Sequence, residues 1–405
     1  MFKLLKYTPR IVYNYTKYIT GLQPYVPTVK NMCSALTEMN IFYVKFFQWF
    51  SETEQDIELF DYFKQFKTNV FYRPSDIDYF AIDLLKIEVA RQGHRLVLDL
   101  DQPMNSGTVA LVFKGRFNDQ PVVLKVLRRN IRSELESIYT HYKWFTWMMS
   151  WVRPDIQMDF LKIINDTRET CFSQLDFQQE VANINLFAQK FKKNKNITIP
   201  TVHWANENLI LMDYLESYPI DVWTVSDYHT YAKRFTYLLI ASYFIKDIYH
   251  GDLHMGNIVF MKDHRIGLID FGIVGQLNIE NQNFIFELFR SLGENDYKAV
   301  VALYMDYVLT TTTNRCELRE IIIAEAIHEL EVTNNTDIYM LRHSHLLILF
   351  QTLHKHGLAL EKNMNVFLYS ILSMIDTMKR LMSQESESHL LNIFEKLNAE
   401  HAELS

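Results

Sequence analysis

Residues 250–275 read HGDLHMGNIVFMKDHRIGLIDFGIVG. Ile258–Phe260 and Ile266–Ile269 are two short β-prone runs, and Lys262, Asp263, His264 and Arg265 form a polar turn between them. That pattern predicts a hairpin. Asp252 and Asn257 then lie in the loop entering the hairpin and Asp270 at its exit. A hairpin brings its ends together, so the three side chains can converge. One carboxylate that orients a nucleophile, with an amide and a second carboxylate that hold Mg²⁺ on phosphates, is the set that phosphoryl transfer requires. A buried polar hairpin whose Asp and Asn merely cap turns is the bland alternative.

His-x-Asp, an Asn five residues after that Asp, and a following Asp-Phe-Gly match the catalytic and metal loops of protein kinases, with altered spacing. Working outward, Lys125 interrupts the apolar strand VVLKVL (residues 122–127), from which it can point into a cleft and pair with ATP phosphates. An edge strand with Lys125 in solvent is the competing reading. Downstream, DFQQEVANINLFAQKF carries Glu180 on a helix whose apolar face is Phe177, Val181, Ile184 and Phe187. Glu180 is therefore the expected ion-pair partner of Lys125, ahead of Glu134 and Glu136. Ser106, Gly107 and Thr108 stand between two strands upstream of Lys125, where a phosphate-covering loop belongs, although one glycine supports only a weak amide cradle. Met212, Asp213, Tyr214 and Leu215 occupy the position of a hinge that offers backbone groups to adenine.

At 405 residues the chain exceeds an average domain. A net charge of −7 gives no support to nucleic-acid binding. Three scattered cysteines, Cys33, Cys171 and Cys316, fit a reducing, intracellular setting better than a disulfide framework. The histidines at 203, 229, 254, 328, 343, 345, 354 and 356 lack paired metal spacing. No run of 18 apolar residues suggests a transmembrane helix. Residues 1–37 hold no acid, and Ile11, Val12, Tyr15, Tyr18 and Ile19 are expected on one helical face. This start reads as an organelle presequence, a membrane-surface helix or an ordinary first helix.

The rest of the chain follows the same logic. Residues 32–95 read as helical, with Pro74, Ser75 and Asp76 opening a helix that Asp76 caps. LVLDLDQ, TVALVFKGRF and VVLKVL are expected strands, with turns at Met104–Gly107 and Asn118–Pro121. TVHWA and LILMDYL form a further pair. A long helix is expected over Tyr228–Tyr249, and helices from Asn281 onward, with a loop at Thr333–Asp337. The fold class is thus α+β: a bilobal protein-kinase-like fold with an N-terminal helical extension (1–95), a kinase-like N-lobe (96–215), a helical C-terminal lobe (216–382) and a tail (383–405).

On these residues the chain resembles the ABC1/UbiB atypical kinase family over roughly residues 20 to 382. The resemblance rests on His250, Asp252, His254, Gly256 and Asn257, on Asp270 to Gly275, on LDFQQEVANINLF, on YVKFFQ and on the C-terminal helical stretch. It implies an ATP- and Mg²⁺-dependent kinase or ATPase in which Asp252, Lys125 and Glu180 are catalytic and Asn257 and Asp270 hold metal. A Lys-x-Gly-Gln segment, here Lys45 and Gln48, lies over the site with Asp176 as a regulatory partner. It also implies a link to coenzyme Q or other isoprenoid-lipid metabolism, at a mitochondrial or other membrane surface. Three positions depart from the family pattern: Phe47, Gln174 and Leu111 stand for Gly, Glu and Gln. Two other readings remain open, a small-molecule phosphotransferase of the aminoglycoside or choline kinase type and a nucleotide-binding pseudokinase scaffold.

Overall fold

The computed structural model describes residues 2–44, 47, 57–64, 70–150, 172, 174–293, 296–312 and 316–332, with isolated positions between 352 and 381. Lys45, Gln48, the polar stretch 333–337 and the tail 383–405 lie outside the described residues. Two compact units divide the chain, one of residues 1–186 and 200–214, the other of residues 187–199 and 215–405.

The first unit opens with helix α1 (Phe2–Ile19) packed on α2 (Tyr25–Met39). Tyr7, Ile11 and Asn14 form the buried side of α1, whereas Val12, Tyr18 and Ile19 are exposed. The expected single apolar face is therefore split, because consecutive residues such as Ile11 and Val12 sit about 100° apart on a helix. After α3 (Ile57–Lys64) comes a 3₁₀ turn at Pro74–Asp76, and α4 begins only at Tyr79 and runs to Arg91. The cap is Asp78, whose Oδ1 accepts from Ala81 N at 3.1 Å, not Asp76. Asp76 instead receives the Arg73 amide and the Arg128 guanidinium.

Six of the eleven strands among the described residues form this unit's sheet. These are β1 (Leu96–Leu98), β2 (Asn105–Ser106), β3 (Ala110–Phe117), β4 (Gln120–Leu127), and, after β5 (Ile197–Thr198), β6 (Val202–Ala205) and β7 (Leu209–Asp213). The sheet order is β1-β3-β4-β7-β6, all antiparallel, with β2 on the end of β3; β5 pairs elsewhere. Asn118 and Asp119, both at positive φ, close the β3–β4 hairpin as a two-residue turn that suits strand twist. Alternation puts Leu111, Phe113, Val122, Leu124, Val126, Leu209 and Leu211 on one face, under Ile82, Leu85 and Val89 of α4. Each such burial contributes about 1.5–3 kcal/mol before entropy is counted. Lys125 belongs to the opposite face, in register with Val112 and Ile210. Leu111, where the family pattern has Gln, is fully buried against α4, and an apolar side chain is what that face requires. Helices α5 (Ile131–Ser150) and α6 (Phe177–Phe191) complete the helical content around the sheet residues.

In the second unit, α7 (Val225–Ile240) starts from a reciprocal cap between Thr224 and Asp227. The helix expected to reach Tyr249 ends earlier. It widens to a π turn at Ala241–Ile245, Asp247 takes positive φ, and Ile248–His250 becomes strand β8. The predicted hairpin is β9 (Ile258–Phe260) and β10 (Ile266–Leu268), with His264 at positive φ in its turn. β5 adds to β10 in parallel, and β11 (Val274–Gln276) pairs with β8. Helices α8 (Ile279–Gly293), α9 (Tyr297–Thr312) and α10 (Cys316–Val332) follow among the described residues. Among the described residues no helix is long and apolar enough to cross a membrane.

Candidate active site

Lys125 and Glu180 meet in the first unit. The Lys125 ammonium lies 2.6 and 2.8 Å from the two Glu180 carboxylate oxygens, with the side chains 11% and 2% exposed. It also stands 5.4 Å from the centroid of the Phe177 ring. Glu180 is in the first turn of α6, where Asp176 Oδ1 accepts from Gln179 N at 3.0 Å and so caps the helix. Glu134, the rejected alternative, pairs with Lys3 instead. A buried lysine bonded to both oxygens of a carboxylate has its position fixed, because neither charge can be left alone in a dry site.

The Ser106–Thr108 turn is internally committed. Ser106 is 2% exposed, its hydroxyl donates to Val70 O at 2.5 Å, and Gly107 N donates to Ala110 O at 2.9 Å. Arg128, at the end of the Lys125 strand, donates to Gly107 O and to the Ser106 hydroxyl. In the hinge segment Met212 is buried and Tyr214 N donates to Pro121 O at 3.1 Å. Burial alone would raise the Asp213 carboxyl, but hydrogen bonds from Thr201 N and His203 outweigh it and hold it below the usual range. That carboxylate thus ties β6 to β7. Beside Tyr214, over which Lys114 sits at 4.7 Å, a recess of about 390 Å³ is lined by Leu98, Asp99, Gly115 and Pro121 among others. Leu215 begins the second unit.

In that second unit the loop before the hairpin is knitted by short-range bonds. Asn257 Nδ2 donates to Asp252 O at 3.0 Å and approaches Asp252 Oδ2 at 3.3 Å. The His250 Nδ1 accepts from Asp252 N at 3.1 Å, so its proton is on Nε2, which donates to Asp270 O. One ring therefore fixes both acidic positions. Burial lowers the His250 pKa, which keeps the ring neutral as this bonding requires. Asp270 Oδ1 accepts from Gly272 N at 3.0 Å. His254 Nδ1 accepts from Gly256 N at 3.0 Å, and its Nε2 lies 3.5 Å from Asp252 Oδ2. Phe271 is fully buried, edge-on to Phe187 and His250.

Two contributors gave no signal in the sequence. Thr377, fully buried, donates its hydroxyl to Leu253 O at 2.7 Å from 124 residues away. Arg128 is the other; a lone arginine after an apolar strand looks like any strand end. Among the described residues no group of three or more His, Cys, Asp or Glu forms a metal cluster. Asn257 and Asp270 do supply hard oxygen donors of the kind Mg²⁺ takes when phosphates complete its shell. Asn257 uses its amide nitrogen on Asp252, so its oxygen is the atom suited to a cation.

An antiparallel sheet carrying a buried Lys–Glu pair, and a loop and hairpin that gather Asp, Asn and Asp, define a kinase-like domain of the α+β class. A family model of the "ABC1 atypical kinase-like domain" matches residues 82–304, more than half of the chain, and the chain belongs to that family. "Probable protein kinase UbiB" of Cronobacter sakazakii is 27% identical over 223 residues, covering 50% of this chain and 40% of that protein. The protein of the same name from Tolumonas auensis is 25% identical over 225 residues, covering 52% and 41%. The match thus spans about two fifths of the length of these relatives. Among solved structures, the complex of Rv3197 with erythromycin from Mycobacterium tuberculosis is similar at a TM-score of 0.41 and 17% identity, over 70% of this chain and 76% of that one.

Proposed function

We propose that this chain is an ATP- and Mg²⁺-using atypical kinase or ATPase acting at a membrane surface in coenzyme Q or related isoprenoid-lipid metabolism. The observation that carries the nucleotide reading is the bidentate, buried Lys125–Glu180 pair, the arrangement that presents a lysine to phosphates. Glu180 holds the ammonium in place, and Lys125 binds phosphate oxygens. Asp252, fixed by His250 and Asn257, accepts a hydrogen bond from the attacking hydroxyl or water. Asn257 and Asp270 are the residues that would hold Mg²⁺, which when bound neutralises charge on the phosphates. Family membership supports ATP use, and the relatives' printed names support the kinase class.

The membrane part is supported by α1 and the turn after it. Leu5, Tyr13, Ile19 and Leu22 are all more than half exposed, and the segment before Glu38 is free of acids and contains Lys6 and Lys17. The test is phosphate release from Mg-ATP by the wild-type chain and by Asp252→Asn, with and without anionic liposomes. Turnover that the substitution removes and liposomes raise is expected. ATP binding without any turnover would replace this reading with a nucleotide-binding scaffold.

A further inference from the structure

Arg128 is 3% exposed and lies three residues beyond Lys125, one residue past the end of its strand. Its guanidinium binds two separate stretches of chain. Nη1 donates to Asp76 Oδ2 at 2.8 Å, and Nη2 to Phe71 O at 3.2 Å, which secures residues 70–76. Nε donates to Gly107 O at 2.9 Å and Nη2 to the Ser106 hydroxyl at 2.8 Å, which secures the turn before β3. Backbone bonds close the same clasp: Val70 N to Ser106 O, Arg129 N to Asp76 O and Arg128 N to Val109 O. Burial lowers the guanidinium pKa to about 10, with Asp76 opposing that shift, so the group stays charged at neutral pH. A planar fork with several directed donors can bridge these acceptors together, whereas an ammonium is a point charge.

The clasp sits at the C-terminal end of the lysine strand. Lys125 is in register with Val112 and Leu127 with Ala110, so the strand end beside the turn lies about 7 Å along the sheet from the lysine at ~3.3 Å per residue. We propose that Arg128 is a positioning residue: by clamping the Ser106–Thr108 turn to residues 70–76 it sets the affinity of this site for the ATP phosphates. The proposal rests on the ATP reading above. It also makes the segment leading out of the N-terminal helices a route by which nucleotide affinity is changed, since whatever displaces residues 70–76 releases the turn.

The experiment compares the full chain with Arg128→Met, Arg128→Lys and Asp76→Asn. Mg-ATP binding is measured by calorimetry, KM and kcat by phosphate release, and backbone exchange at Val70 and Gly107 by amide hydrogen exchange. In Arg128→Met, exchange at both amides is expected to speed up. The ATP Kd and KM should rise by about tenfold to a hundredfold, the range a misplaced positioning group costs, with kcat changing far less. Arg128→Lys and Asp76→Asn, each keeping part of the clasp, should fall between. If Arg128→Met does not fold, those two variants decide: an unchanged Kd in both overturns the proposal. Faster exchange with an unchanged Kd, or a lower fraction of active protein with Kd intact, also overturns it while the ATP reading stands. Wild-type protein that binds no ATP overturns the ATP reading itself, and the proposal with it.

Discussion

The lysine site and the hairpin site are built by opposite means. Lys125 is held by a side chain 55 residues away, and the turn near it by Arg128 reaching residues 52 positions back. The loop at Asp252 is held mainly by backbone and ring bonds within a stretch of about twenty residues, from His250 to Asp270, with a long-range bond from Thr377 to Leu253 O added. A site made of long-range buried charges depends on each member, because removing one leaves its partner desolvated and unpaired. A site made of local backbone bonds keeps its shape when one side chain changes, and loses chemistry rather than structure.

This difference can be broken or sharpened experimentally. The largest effect is expected at the hairpin: Asp252→Asn should lower phosphate release by roughly a hundredfold to ten-thousandfold, the usual worth of a positioned acid or base. Its melting temperature should stay near that of the wild type, and a large drop would contradict the local-bond account. Next, Glu180→Leu alone should destabilise the chain by about 3–5 kcal/mol, measured by denaturant unfolding, since it strands the Lys125 charge. Adding Lys125→Met should recover much of that loss; a double variant as unstable as the single would show that the pair is not acting as a buried unit.

A third test uses two histidines buried among the described residues, His250 in the hairpin unit and His141 in the other. Burial lowers both pKa values, that of His141 to about 4 with Lys3 adding to the effect. The unfolded state then binds more protons below about pH 6.5, so stability is full above that pH and falls as pH drops towards the folded values. His250→Asn and His141→Leu should each flatten the fall of melting temperature between pH 7 and 5. An unchanged slope in both would count against buried neutral rings. The smallest effect is expected at helix caps, where Asp78→Ala and Thr224→Ala should each cost about 1 kcal/mol. Asp76→Ala losing more than Asp78→Ala would confirm that Asp76 serves the Arg128 clasp rather than a cap.

The hairpin was legible because its information is local. The strand runs around Lys262–Arg265, the alternating strands around Lys125, and the apolar face that carries Glu180 each follow from a period of two or 3.6 residues. The misreadings share one cause. The capping chemistry of Pro-Ser-Asp points to Asp76 as a cap, yet a buried arginine just past the end of a distant strand takes the carboxylate. The helix through Tyr249 continued an apolar run that the chain breaks at Asp247 to form β8, whose pairing partner Val274–Gln276 is more than twenty residues on. The face assigned to α1 joined residues that the packing on α2 separates.

By itself the sequence determined the hairpin with Asp252 and Asn257 before it and Asp270 after it, the helix that carries Glu180, and the alternation that sets Lys125 apart from the core face, because each is fixed by neighbours within one or two elements. Only the tertiary structure decided that β5 adds in parallel to the hairpin, that Thr377 holds Leu253 O, and that Arg128 joins residues 70–76 to the Ser106–Thr108 turn. Those choices are made by buried polar groups that must find partners wherever the fold brings them, and such groups carry no periodicity in the chain.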